Sequence, residues 1–128
     1  MKDSKNIKIA ISSLPEGGWW DKGIVAYQDN DMMSNGAVPN QSLLQQEHKG
    51  LIEILNKYSL PIEIIPFKKD LEIIKKYDFV FMRDHFLCNV DKDIVMCNMK
   101  LSERMNEGEF VISSLKNLQY NVSLLDND

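Results

Sequence analysis

The sequence predicts an α/β domain, and three observations carry that reading. Short β-branched runs recur along the chain, beginning with Ile7-Lys8-Ile9-Ala10-Ile11, which alternates with the period of a strand. Two longer segments, from about Gln41 to Tyr58 and from about Glu103 to Leu118, carry apolar residues at helical spacing. The helix-then-strand piece occurs twice. Such repetition suggests a repeat or propeller-like architecture, in which no unit buries its apolar face alone.

Composition narrows the class. With 128 residues, 44% of them hydrophobic, and only six Gly and four Pro, residues 1–128 read as one small globular domain and not as a disordered or collagen-like chain. Fifteen Lys and Arg stand against nineteen Asp and Glu, a net charge of −4, and the lysines are spread along the sequence. That distribution lacks the basic footprint selected by phosphate backbones, so nucleic acid is not an expected partner. The N-terminus is polar, and no apolar run approaches the ~20 residues that cross a bilayer. A soluble, cytoplasmic protein without membrane contact is the expectation.

The elements follow in order. Ser12-Ser13 and Pro15 bound the first strand. Residues 14–39 show no sustained period and are punctuated by Gly17-Gly18, Gly23, Asn35-Gly36 and Pro39, so they read as a long loop, a candidate lid. Asn40 is suited to cap the first helix, whose stripe is Leu44, Leu51, Leu55 and Tyr58, widened by Ile52 and Ile54. Pro61 stops it, and Ile62 to Phe67 reads as the second strand. Residues 71–76 are ambiguous. Asp78-Phe79-Val80-Phe81-Met82-Arg83-Asp84 reads as a buried strand ending in two charges. Phe86 to Val90 and Ile94 to Cys97 flank Asp91-Lys92-Asp93 as a hairpin. Val111, Ile112, Leu115 and Leu118 mark the second helix, and Val122 to Leu125 the final strand.

Candidate chemistry is sparse. Cys88 and Cys97 sit nine positions apart in an apolar stretch, where inert buried thiols are the commoner case and neither a disulfide framework nor a zinc spacing is formed. His85 adjoins Asp84 but on a strand points to the opposite face. His48, on the helix stripe, reads as a packing or boundary residue, and no metal or cofactor is expected. Trp19 and Trp20 either close over a ligand or pack onto the domain edge. Arg83 and Asp84 at a strand end are costly to bury unless paired or used. They form either an ion pair at a solvent edge or part of a site. Arg104 and Glu107, at i and i+3, read as an ordinary surface pair worth a few tenths of a kcal/mol.

Asp78 to Asp84, the hairpin after it, and Arg104-Met105-Asn106-Glu107 together resemble the first half of the guanidino-modifying enzymes: dimethylarginine dimethylaminohydrolases, arginine deiminases and amidinotransferases. Ile9 to Glu16 resembles their first strand and loop, and Gln45-Gln46-Glu47-His48 through Leu55 their first helix. The resemblance implies a partial pentein, an α/β propeller of ββαβ units, with about two of five units in this chain; five units need about 250 residues. On that pattern residues 1–128 are the N-terminal part of the propeller.

The resemblance also implies roles. Asp84 matches the carboxylate that holds the substrate guanidinium, for which a bidentate acceptor is well shaped. Asp78 matches a second substrate contact, Arg104 the arginine that holds the substrate α-carboxylate, and Arg83 a position closer to the deiminase and transferase branches. The implied activity hydrolyses or deiminates the guanidinium of arginine or methylated arginine to citrulline, through a cysteine thiolate and a proton-transferring histidine. Both belong to the family's second half, and no residue of this chain matches them. The sequence ends just before the family's Gly-Gly-Asp segment is expected. Two alternatives stand: a chain completed by a C-terminal half, or a non-catalytic shortened pentein, forming an oligomer, that binds an arginine-like ligand or a protein.

Overall fold

The computed structural model describes residues 8–21, 24–89 and 91–125. Strand β1 (Ile9–Ser12) pairs in parallel with β2 (Ile62–Ile65), with Ile9 opposite Ile62 and Ile11 opposite Ile64. Parallel neighbours need a long crossover, and residues 13–61 supply it with two helices. Helix α1 is one turn (Asp31–Ser34) and α2 is long (Gln41–Lys57). The Asn40 side chain accepts from Leu43 N at 2.9 Å, capping α2. At the other end Lys57 stands in the last turn and Ser59 turns the chain with φ 55°.

The expected stripe of α2 is only half covered. Leu44, His48, Ile52 and Leu55 are half-buried against the rest of the fold, whereas Leu51 and Tyr58 are exposed together with Leu43 and Ile54. The apolar arc of this helix is wider than the surface its neighbours offer. His48 Nε2 lies 2.8 Å from Ser12 O, joining α2 to β1.

The described parts of the 14–39 segment are tied down at three residues. Trp20, Tyr27 and Met33 are buried in the core, and Trp20 Nε1 donates to Ala37 O at 2.6 Å. Tyr27 is the firmest anchor: its hydroxyl accepts from Tyr77 N at 3.0 Å and donates to Lys75 O. Lys22 and Gly23 of the same stretch lie outside the described residues.

The ambiguous stretch after β2 is a short helix, α3 (Lys69–Ile73), with Leu71 fully buried. Residues 78–84, read as a strand, form two successive 3₁₀ turns, Tyr77–Val80 and Met82–Asp84. The apolar run suited both readings, since a short run of this kind has no decisive period. At three residues per turn, Phe79, Met82 and His85 all fall inside, and Asp78, Phe81 and Asp84 share another side.

Strands β3 (Phe86–Cys88) and β4 (Asp93–Met96) are antiparallel, as a hairpin requires, and Asn89 Oδ1 closes the turn by accepting from Asp91 N and Asp93 N. Val90 lies outside the described residues. Helix α4 (Glu107–Asn117) starts four residues later than the periodicity suggests. A 3₁₀ turn at Ser102–Arg104 and Asn106, with φ 72°, occupy those positions; asparagine tolerates the left-handed region better than most residues. The chain then returns as β5 (Asn121–Leu124), parallel to β4, so the second sheet has the order β3-β4-β5. Phe79, Ile65, Leu71, Ile94 and Val111 are fully buried and join both halves in one core. Among the described residues no helix is long and apolar enough to cross a membrane.

Candidate functional site

The two 3₁₀ turns bring Asp78, Phe81, Arg83 and Asp84 to one side of a pocket of about 380 Å³. Across from them stand Trp19, Trp20, Asn30 and Met32 from the 14–39 segment. Arg104, from the turn before α4, completes the group. All four residues singled out in the sequence therefore line one cavity. The two tryptophans meet edge to face with ring centroids 5.7 Å apart, so they both pack and line the pocket.

Arg104 organises the charges. It is 8% exposed. Nη1 donates to Asp84 Oδ2 at 2.9 Å, Nη2 to Asp78 O at 3.0 Å, and both Nε and Nη2 to Glu107 Oε2 at 3.1 Å. Four of the five N–H groups are thus engaged inside the protein, leaving one on Nη1 for an outside acceptor. The surface pair expected of Arg104 and Glu107 is instead a buried one, for Glu107 is fully enclosed. Sequence spacing gave the contact but no sign of its burial, because the packing comes from the turns at 77–84.

The carboxylates differ in environment. Asp84 is one-third exposed and also accepts from Arg83 Nε at 3.3 Å, while the Arg83 side chain projects almost wholly into solvent. Burial tends to raise the Asp84 carboxyl, but its hydrogen bonds and proximity to Arg104 and Arg83 outweigh that and hold it below the ordinary value. Asp78 is 5% exposed and moves the other way. Desolvation drives it up, Arg104 opposes, and nearby Asp29 adds to the rise. Asn30 Nδ2 reaches Asp78 Oδ1 at 3.4 Å while the same side chain accepts from Met33 N, capping α1. Burial pushes the Glu107 carboxyl up to about 7 against the pull of Arg104.

His85 and the cysteines stand apart from the pocket. His85 is fully buried; burial lowers it to about 4, so it is neutral at pH 7, and Nε2 lies 3.1 Å from Phe79 O. It is 3.7 Å from Glu107 Oε2, a contact that is no ion pair while the ring is neutral. Cys88, expected to be buried, is exposed, since β3 is too short and marginal to cover it. It lines a separate cleft of about 260 Å³ between β1, the hairpin and α4. Cys97 is half-buried. Among the described residues no three His, Cys, Asp or Glu side chains are grouped as a metal ion requires.

The sheets, their connections and this pocket define a mixed α/β fold of the pentein type, holding part of the propeller. Among the solved structures it resembles is the binary complex of a cysteine-to-alanine mutant of AgrE with L-arginine, at a TM-score of 0.73 and 18% identity. The match covers 98% of this chain and 17% of that one, so the chain spans about a sixth of that protein's length. No protein-family model matches the sequence, and no curated protein matches it.

Proposed function

We propose that this chain is the recognition part of a guanidino-modifying enzyme, binding the guanidinium of arginine or a methylated arginine. The observation that carries the reading is the convergence of Asp78 and Asp84 on one aromatic-walled pocket, with Arg104 behind them. An ionised Asp84 offers the paired acceptor that a planar guanidinium fits. Trp19, Trp20 and Phe81 supply apolar and π surface for the rest of a cationic ligand. The L-arginine bound by the AgrE neighbour supports the same ligand class.

In this reading Asp84 and Asp78 hold the guanidinium, Arg104 orients Asp84 and offers its remaining Nη1–H to a ligand carboxylate, and Arg83 shapes the entrance. The thiolate and histidine that complete hydrolysis or deimination to citrulline come from outside these 128 residues. A second reading, a non-catalytic binding module, is favoured by one observation: Cys88 lines the other cleft and both polar edges of His85 are enclosed.

Calorimetric titration of L-arginine into the 128-residue chain tests the binding. Saturable binding that Asp84→Asn weakens supports both readings; no binding at any pH, or equal binding by the variant, overturns them. Citrulline release by the purified chain would overturn the assignment of the reactive groups to residues elsewhere.

A further inference from the structure

The most enclosed carboxyl near the pocket does not line it. Glu107 has zero exposure and accepts from Arg104 at two nitrogens, yet its other oxygen, Oε1, is buried without a partner, as is Nδ1 of neighbouring His85. A purely structural ion pair gains nothing from an open buried acceptor, which costs stability. Charge accounting gives the feature a use. Two carboxylates, Asp84 and Glu107, bond the single buried guanidinium of Arg104, the Asp78 carboxyl lies close enough to feel its charge, and Arg83 is too solvated to add much.

We propose that Glu107 is a positioning residue that occupies the inner edge of Arg104, fixing its plane and absorbing its charge, so that Asp84 and Asp78 stay available to a cationic ligand. The inference rests on the guanidinium-binding reading above. Were Glu107 neutral, Arg104 would serve chiefly as counter-ion to Asp84, and an incoming guanidinium would have to compete with a closed pair. The groups facing Glu107 are Arg104, Asp78, Lys76 and neutral His85, with Asp84 and Tyr27 beyond. Burial already holds its carboxyl up at about 7. A cation arriving at Asp84 and Asp78 therefore favours the ionised form, and binding releases a proton near neutrality.

The test is titration of L-arginine and of neutral, similarly shaped L-citrulline into wild-type chain and Glu107→Gln, from pH 6 to pH 8. Gln retains an acceptor for Arg104 and resembles the protonated acid. Wild type is expected to bind arginine about tenfold more tightly at pH 8 than at pH 6. The variant should match wild type at pH 6, show no such rise, and bind citrulline unchanged. Equal affinity and an equal pH profile for the two proteins overturn the proposal while leaving the guanidinium reading intact; absence of arginine binding by wild type overturns both. If the variant fails to fold, proton release decides, measured in wild type and in Asp78→Asn, because the Asp78 carboxyl is itself raised by burial and faces the ligand. Titrations in two buffers of different ionisation enthalpy at pH 7 should show release in both proteins, and its absence from either overturns the proposal.

Discussion

Arg104 Nη1 and Asp84 Oδ2 meet at 2.9 Å although twenty residues separate them in the chain. Two 3₁₀ turns make the meeting possible: Met82–Asp84 ends with the carboxylate and Ser102–Arg104 ends with the guanidinium. The hairpin between them brings the chain back, and Cys97 N donates to His85 O at 2.8 Å where it returns.

Asp84→Asn separates recognition from stability. The Asp84 side chain is one-third exposed, so losing its charge should change unfolding free energy by less than ~1 kcal/mol. Arginine binding should fall by ~1–3 kcal/mol, because a charge-assisted pair is lost. Urea denaturation and calorimetry on one preparation check both numbers; a large stability loss would mark Asp84 as a fold residue.

Two asparagine caps make a matched pair. Asn40→Ala removes the cap of α2 and should cost about 1 kcal/mol with ligand binding unaltered. Asn30→Ala removes both the cap of α1 and the contact with Asp78, so it should weaken binding as well. Equal ligand affinity in the two variants would show that Asn30 only holds α1 in shape.

Tyr27→Phe deletes one oxygen and leaves two backbone groups, Tyr77 N and Lys75 O, without that partner. The expected cost is ~1–3 kcal/mol, since Tyr77 N is buried. Thermal denaturation followed by circular dichroism checks it, and an unchanged midpoint would mean that water replaces the hydroxyl.

Stability against pH should show two buried groups pulling in opposite directions. Glu107 rises from an ordinary 4.5 to about 7, so the folded form binds its proton more tightly; this contribution is full below pH 4.5 and lost as pH rises through 7. His85 falls from 6.5 to about 4, so its contribution is full above pH 6.5 and lost as pH falls through 4. Wild type should therefore vary little between these limits. Glu107→Gln should lose the descending part, its urea midpoint climbing from pH 4 to 6.5 and then levelling; a descent persisting toward pH 7 would assign it to another group.

Much of the fold was legible because its signals are local. Asn40 and Pro61 bracket α2, and Asp91 and Asp93 mark the hairpin turn whether or not anything packs on them. The segment at 77–85 was not legible as turns, because Phe79-Val80-Phe81-Met82 looks like a strand core until its neighbours show which side is buried. The spacing of Phe79, Met82 and His85 at every third residue was the available signal. The four candidate residues, Asp78, Arg83, Asp84 and Arg104, stand out through the resemblance, whereas the burial of Glu107 and the part of Asn30 have no local signal. Their roles lie in what they hold, and only the packing of turns from 27 to 34, 77 to 84 and 102 to 107 brings those partners within reach.

The 3₁₀ turns also set a clock. The amide of Phe81 donates to Asp78 O at 3.0 Å, that of Asp84 to Phe81 O at 3.0 Å, and that of His85 to Met82 O at 3.2 Å. Turns this short have poorer hydrogen-bond geometry than an α-helix and little cooperativity along the chain. Phe81 and Asp84 keep partial contact with solvent, whereas His85 is sealed. Amide hydrogens of the first two should thus exchange through small local openings, and that of His85 only when the core parts, giving two timescales within five residues.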